Sequence, residues 1–173
     1  MDKCFYRRAP RAGIRLMSLI CCALLAGALT GEAVAAVRHL TPEYQKLLRA
    51  RHRFHVLLQA GNLPPPVLAL CADERGKLAD PRAKWQSGTA LGNGQLPAKR
   101  LIWAVTDGTH FVVHYERAAP THRYHVMIAS SDPTGSHAQL VWRARLDKAL
   151  PSFKALLDAL DEDALEDSPA RDF

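Results

Sequence analysis

The dipeptide Asp107-Gly108 constrains this chain more than any other feature. It stands between two runs rich in β-branched and aromatic residues, Leu101-Ile102-Trp103-Ala104-Val105-Thr106 and Thr109-His110-Phe111-Val112-Val113-His114-Tyr115. Asp-Gly at such a junction favours a two-residue hairpin turn. The preferred form needs positive φ at both central residues, which Asp tolerates and Gly adopts freely. A chain that doubles back here seeds an antiparallel sheet. A two-residue turn pairs Thr106 with Thr109, so Trp103 falls opposite Val112 and Leu101 opposite His114.

The flanks extend this hairpin in both directions. A third strand is expected from about His122 to Ala129, a loop over Ser130–Ser136 with Asp132-Pro133 and Gly135, and a fourth strand from Ala138 to Leu146. Upstream, Thr41-Pro42-Glu43 opens a helix expected to run to about Ala60, with Leu47, Leu48, Phe54, Leu57 and Leu58 in its apolar stripe. Gly61-Asn62 stops it, and Pro64-Pro65-Pro66 opposes a restart. Val67 to Cys71 reads as a strand or buried turn, and 73–97 as mostly loop. A last helix starts near Ala149 or Pro151 and carries Phe153, Leu156, Leu157 and Leu160 at helical spacing. The expected fold is α+β: an antiparallel meander sheet of four to five strands, with the N-terminal and C-terminal helices packed on one face.

Residues 1–36 read as a cleavable export signal. Lys3, Arg7, Arg8, Arg11 and Arg15 precede an apolar run from Leu16 to Leu29, and Ala33-Val34-Ala35-Ala36 supplies small side chains for cleavage. The run stops at Thr30-Gly31-Glu32, short of the roughly twenty apolar residues a membrane anchor needs. The expected organisation is therefore a signal over 1–36, a single domain over 37–160 and an acidic, solvated tail over 161–173. The expected location is periplasmic or secreted, with no stable membrane anchor after cleavage. Of the 4 cysteines, only Cys71 lies beyond the signal, so an internal disulfide is excluded. In the run Val67-Leu68-Ala69-Leu70-Cys71 it reads as a small buried hydrophobe.

The whole chain has 23 basic and 17 acidic residues. Five of the former and two of the latter lie in the signal, which leaves 18 against 15 behind it. That remainder is polarised. Residues 157–173 hold seven acids and one base, while 37–156 hold 17 bases and 8 acids. A basic body with an acidic tail implies either an internal charge match or an anionic partner.

Alternation along the strands then proposes a surface. If the apolar sets of all four strands share the helix-covered side, the opposite side collects Trp103, His110, His114, Arg123, His125, Arg143 and Arg145. This reading depends on the register of the third strand, because a slip of one residue exchanges its two faces. Such a basic, histidine-rich face is either an ordinary solvated side of a sheet or a binding surface for an anionic protein or envelope component.

Chemistry-bearing motifs are few. There is no G-x-S-x-G, no G-x-G-x-x-G and no P-loop, and no Cys/His spacing points to a metal, so no cofactor is expected. His110 and His114 sit about 13 Å apart on one strand face, too far to share an ion; only a cross-strand pair such as His114 with His125 would reach one. An exported chain without an aromatic stacking series is not expected to bind nucleic acid. The leading expectation is a non-catalytic binding protein of the inhibitor or immunity type. The alternatives are a small envelope hydrolase with His110, His114 or His125 as base, and an accessory subunit of an envelope assembly.

Overall fold

Gly108 takes a φ of +95°, and Asp107 does not share the left-handed region. Asp107 closes the turn from outside. Its N–H donates to the His110 carbonyl at 3.2 Å, and its carboxylate accepts the N–H groups of Thr109 and His110 at 3.0 and 2.7 Å. The turn residues are therefore Gly108 and Thr109, one place later than expected. Glycine at the first central position suits this arrangement. The strands it joins are β2 (Lys99–Thr106) and β3 (His110–Arg117). Thr106 pairs with Phe111 and Trp103 with His114, and a bulge at Ile102 then brings Leu101 opposite Tyr115.

A computed structural model of the chain describes residues 40–87, 95–118, 121–162 and 165–167. The expected signal over 1–36 lies outside them. The sheet continues through β4 (Arg123–Ser131) and β5 (Ala138–Leu146), both close to expectation. Two short strands complete it at the edges, β1 (His55–Leu57) beside β2 and β6 (Glu166–Asp167) beside β5. All pairings are antiparallel and the spatial order follows the sequence, β1 to β6. The fold is α+β, built on an antiparallel meander with helices at both ends. Part of the expected acidic tail thus belongs to the sheet, since β6 falls within 161–173. No described helix is long and apolar enough to cross a membrane.

The N-terminal helix, α1, spans only Pro42–Arg49. Ala50 leaves helical geometry (φ −76°, ψ 58°), a 3-10 turn covers Arg51–Arg53, and β1 follows. The expected continuation to Ala60 is overridden by pairing of this segment with β2, where Val56 lies opposite Val105. Leu58, expected in the apolar stripe, is 74% exposed. Pro65 and Pro66 do not prevent a restart. They form the first turn of α2 (Pro65–Cys71), where a missing N–H leaves no bond unmade. The run that read as strand or turn is therefore helix. The C-terminal helix α3 (Phe153–Asp161) starts where the Ser152 hydroxyl accepts the Ala155 N–H at 3.2 Å.

Helices cover both faces of the sheet. On one face, Leu48 of α1 and Leu156 and Leu157 of α3 meet Val105, Val112, Val126, Ile128 and Trp142. Leu48 and Leu156 have no exposed surface, and each contributes about 2 kcal/mol through burial. Arg49 pairs with Asp161 and joins the two helices at their surface. On the other face, Val67 and Cys71 of α2 pack on Ala104, Phe111, Val113, Tyr115 and Met127. The terminal helices do share one face, but α2 covers the middle of the face expected to be free.

Candidate functional site

The seven residues expected on one face divide between two. Trp103, His110 and His114 lie on the side of α1 and α3, while Arg123, His125, Arg143 and Arg145 lie on the side of α2. The cause is the shared register of β3 and β4. Val112 falls opposite Ile128 and His114 opposite Val126, so the histidine-bearing parity of β3 joins the apolar parity of β4. Both strands are buried almost throughout on both faces, and alternation does not mark a side when both sides are apolar.

The three residues on the α1 and α3 side are structural in their contacts. The Trp103 indole donates to the Leu150 carbonyl at 2.8 Å. It is covered by the connection into α3 and by Phe153. His114 is fully buried. Its Nδ1 donates to the His125 carbonyl at 2.9 Å, and its Nε2 accepts the Leu150 N–H at 3.0 Å. Both nitrogens are spent, and burial pushes the ring's pKa down to about 4. His110 lies 3.2 Å from the Asp107 carboxylate and meets the edge of Tyr44. His114 and His125 point to opposite faces, so they do not form the cross-strand pair of metal ligands considered above. No three His, Cys, Asp or Glu side chains converge as a metal site among the described residues.

The α2 side gathers cations at one end. Antiparallel order places the start of β2, the end of β3, the start of β4 and the end of β5 together. Lys99 lies directly opposite Arg117, and Arg117 directly opposite Arg123. One row further in, Tyr115 is opposite His125, and His125 opposite Arg145. Like charges directly opposite one another in neighbouring strands repel. Within β2 to β5 no acid on this face offsets them, because Glu116 is the one acid in these four strands; beyond them β6 sets Glu166 opposite Arg145, and Asp73 raises the Lys99 pKa by its charge. Glu116 lies opposite Arg100 and Tyr124 on the other side, where it bonds Arg100 at 2.6 Å and His122 at 2.8 Å.

Two of these cations also hold α2. Lys99 Nζ donates to the Ala72 carbonyl at 2.9 Å and Arg143 to the Leu70 carbonyl at 2.6 Å. They satisfy carbonyls that the helix C-terminus leaves open. Lys99 also lies 5.3 Å from the centre of the Tyr115 ring. Tyr115 is fully buried, and its hydroxyl has no hydrogen-bond partner among the described residues. His125 stacks on Tyr115 with 5.1 Å between centres and 20° between planes. Burial, and then the charges of Lys99, Arg143, Arg117 and Arg145, push the His125 pKa down to about 3. The positive charge here is therefore carried by lysine and arginine, not histidine. Lys99 itself is held below the usual amine range by burial, then by Arg117 and Arg143. Cys71 is buried as expected, with its thiol 3.4 Å from the Leu68 carbonyl and its pKa pushed up to about 12 by burial.

Sequence reasoning missed Lys99 and Arg117. The expected register sets Lys99 opposite Glu116, an attractive pair. Placing the turn one residue later and adding the bulge sets Lys99 opposite Arg117. The signal available was the pair of cations flanking the hairpin at similar distances from its turn. Comparison with protein-family models, curated proteins and solved structures gave no match to this chain.

Proposed function

We propose that this chain is an exported, non-catalytic binding protein that uses the cationic end of its α2-side sheet face to hold an acidic protein or other anionic envelope component. An inhibitor or immunity-type protein is the form of this reading we favour. One observation carries the reading: Lys99, Arg117 and Arg123 are aligned across three strands with no carboxylate on that face of β2 to β5. A like-charged row weakens a sheet, and local features that cost stability concentrate at functional surfaces. Arg117 and Arg123 form no ion pair among the described residues.

The test is binding of the purified protein to immobilised poly-glutamate, with poly-lysine as control. Expected are capture that weakens as salt rises and at least a tenfold loss on Arg123→Glu with Arg145→Glu. Equal capture by the double variant would remove this face from the proposal. Arg143 is unsuited to the test because it anchors α2 through Leu70.

The hydrolase alternative draws on the two carboxylate–histidine pairs, Asp107 with His110 and Glu116 with His122. Such a pair can orient a base. Neither ring bonds a hydroxyl or thiol among the described residues. Hydrolysis of an ester probe lost on His122→Gln would favour it. The accessory-subunit alternative makes the same cationic face a permanent interface, and aggregation of the isolated protein at low salt would favour that.

A further inference from the structure

A cleft of about 300 Å³ opens beside the cation row, between the turn that follows α2 and the paired ends of β2 and β3. Asp73, Arg75, Gln86, Lys99 and Arg117 line it, with Glu74 at its exposed rim. Its walls are unequal in what they offer. Asp73 is committed to the backbone: one oxygen accepts the N–H groups of Arg75 and Lys77 at 3.0 and 2.9 Å, and the other accepts the Ala98 N–H at 2.9 Å. Lys99 is not so committed. An ammonium has three donors, and Lys99 gives one to the Ala72 carbonyl. It has no carboxylate partner among the described residues, although only 9% of it is exposed. Arg117 stands directly across from it. Asp73 is the acid whose charge acts on Lys99, but both its oxygens are already bonded to backbone N–H groups, so this buried cation facing a second cation has no direct ion pair of the kind that normally accompanies burial.

From these observations we infer that the cleft receives the carboxylate of an acidic side chain, held between the Lys99 ammonium and the Arg117 guanidinium. The charge of the lining selects this oxyanion. Arg75, Lys99 and Arg117 carry three positive charges and Asp73 and Glu74 two negative ones, leaving a surplus of one. A singly charged carboxylate balances that surplus, whereas a phosphate dianion overshoots it beside Glu74. A planar carboxylate also matches the fork of a guanidinium. The cleft lies at the small end of the range for ligand pockets, which suits one side chain better than a whole metabolite. The inference rests on the anionic-partner reading and names the group that makes its deepest contact.

The experiment is a titration of the isotope-labelled protein with an acetylated, amidated tetraglutamate peptide, followed by amide NMR. Saturable shifts are expected at Ala98, Lys99 and Arg117, with at least a tenfold loss of affinity in Lys99→Met. Lys99→Arg is expected to retain part of the binding. If Lys99→Met does not fold, Arg117→Gln carries the same expectation without touching the bond to Ala72. Equal affinity in the folded variants would overturn the cleft. So would tighter binding of inorganic phosphate than of the peptide. If Arg123→Glu with Arg145→Glu abolishes peptide binding while Lys99→Met and Arg117→Gln do not, the face reading stands and the cleft falls. If none of these variants weakens binding, both fall.

Discussion

Trp103 and His114 hold the two sides of a single residue's backbone. The indole N–H of Trp103 donates to the Leu150 carbonyl at 2.8 Å, and His114 Nε2 accepts the Leu150 N–H at 3.0 Å. The two rings pack with 5.2 Å between centres. Leu150 belongs to no helix or strand, so its peptide groups have no ladder to join. Neighbouring ring nitrogens from β2 and β3 satisfy both, and this fixes where the chain leaves the sheet for α3. Trp103→Phe keeps most of the packing and deletes the donor. It should lower stability by about 1–3 kcal/mol, since a buried carbonyl is left without its partner. Urea unfolding measures this, and a loss below a few tenths would show that the bond does not anchor Leu150.

His114 also predicts a pH dependence. Its pKa falls from 6.5 to about 4 on folding, chiefly through burial. Below pH 6.5 the unfolded chain takes up a proton that the folded chain refuses until about pH 4. Stability is therefore full above 6.5 and declines as the pH falls through that window. His114 alone should remove on the order of 2 kcal/mol between pH 6.5 and 5, and His125, with its pKa near 3, acts in the same direction. Unfolding free energies at pH 7, 6 and 5 check this. A flat profile over that range would contradict the bonding assigned to His114.

Arg123→Glu places an acid directly opposite Arg117. Replacing a like pair with an opposite pair should raise stability by about 0.5 kcal/mol, even as capture by poly-glutamate falls. Calorimetry and binding on the same sample test the two together. A variant that loses both stability and binding would point to simple damage.

Cys71 should be inert in the folded protein. Its thiol is fully buried and its pKa stands near 12, so almost no thiolate exists at pH 8. Alkylation by iodoacetamide at that pH should track the unfolded fraction in urea. Fast labelling without denaturant would mean that α2 opens from the sheet.

Ser152 caps α3 through the Ala155 N–H. Ser152→Ala should cost about 1 kcal/mol, read as a shift in the urea midpoint at constant slope.

How much was legible varied with the burial of each segment. β5 showed its bounds and its covered face, because Trp142, Ala144 and Leu146 are buried while Arg145 is exposed and Arg143 half-buried. β3 and β4 hid their orientation, since Val112 and Val113 are both fully buried, as are Met127 and Ile128. With apolar residues on both parities, only the register with a neighbour assigns a face. For these two strands it is their own pairing, Val112 opposite Ile128 and His114 opposite Val126; placing the β2–β3 turn one residue later shifts the β2–β3 pairing by two and leaves the faces unchanged, whereas the bulge at Ile102 turns Lys99 over. The α1 stripe misled for another reason. Leu57 and Leu58 fit a helical period, but the open edge of β2 offered backbone bonds that a lone helix turn lacked. The cation site combined both difficulties: Arg123, Arg143 and Arg145 were found from alternation, and Lys99 and Arg117 were lost with the register.

The bulge at Ile102 ties two remote properties to one codon. Ahead of it Lys99 and Leu101 face α2, and behind it Trp103 and Val105 face α1 and α3. An in-frame deletion of that codon would rotate Leu101 and Lys99 to the opposite side while leaving every other residue type unchanged. The cleft would lose its ammonium and the core beneath α2 its leucine. A lineage carrying this chain can therefore vary the chemistry of its charged end by substitution, but not by shortening β2 here.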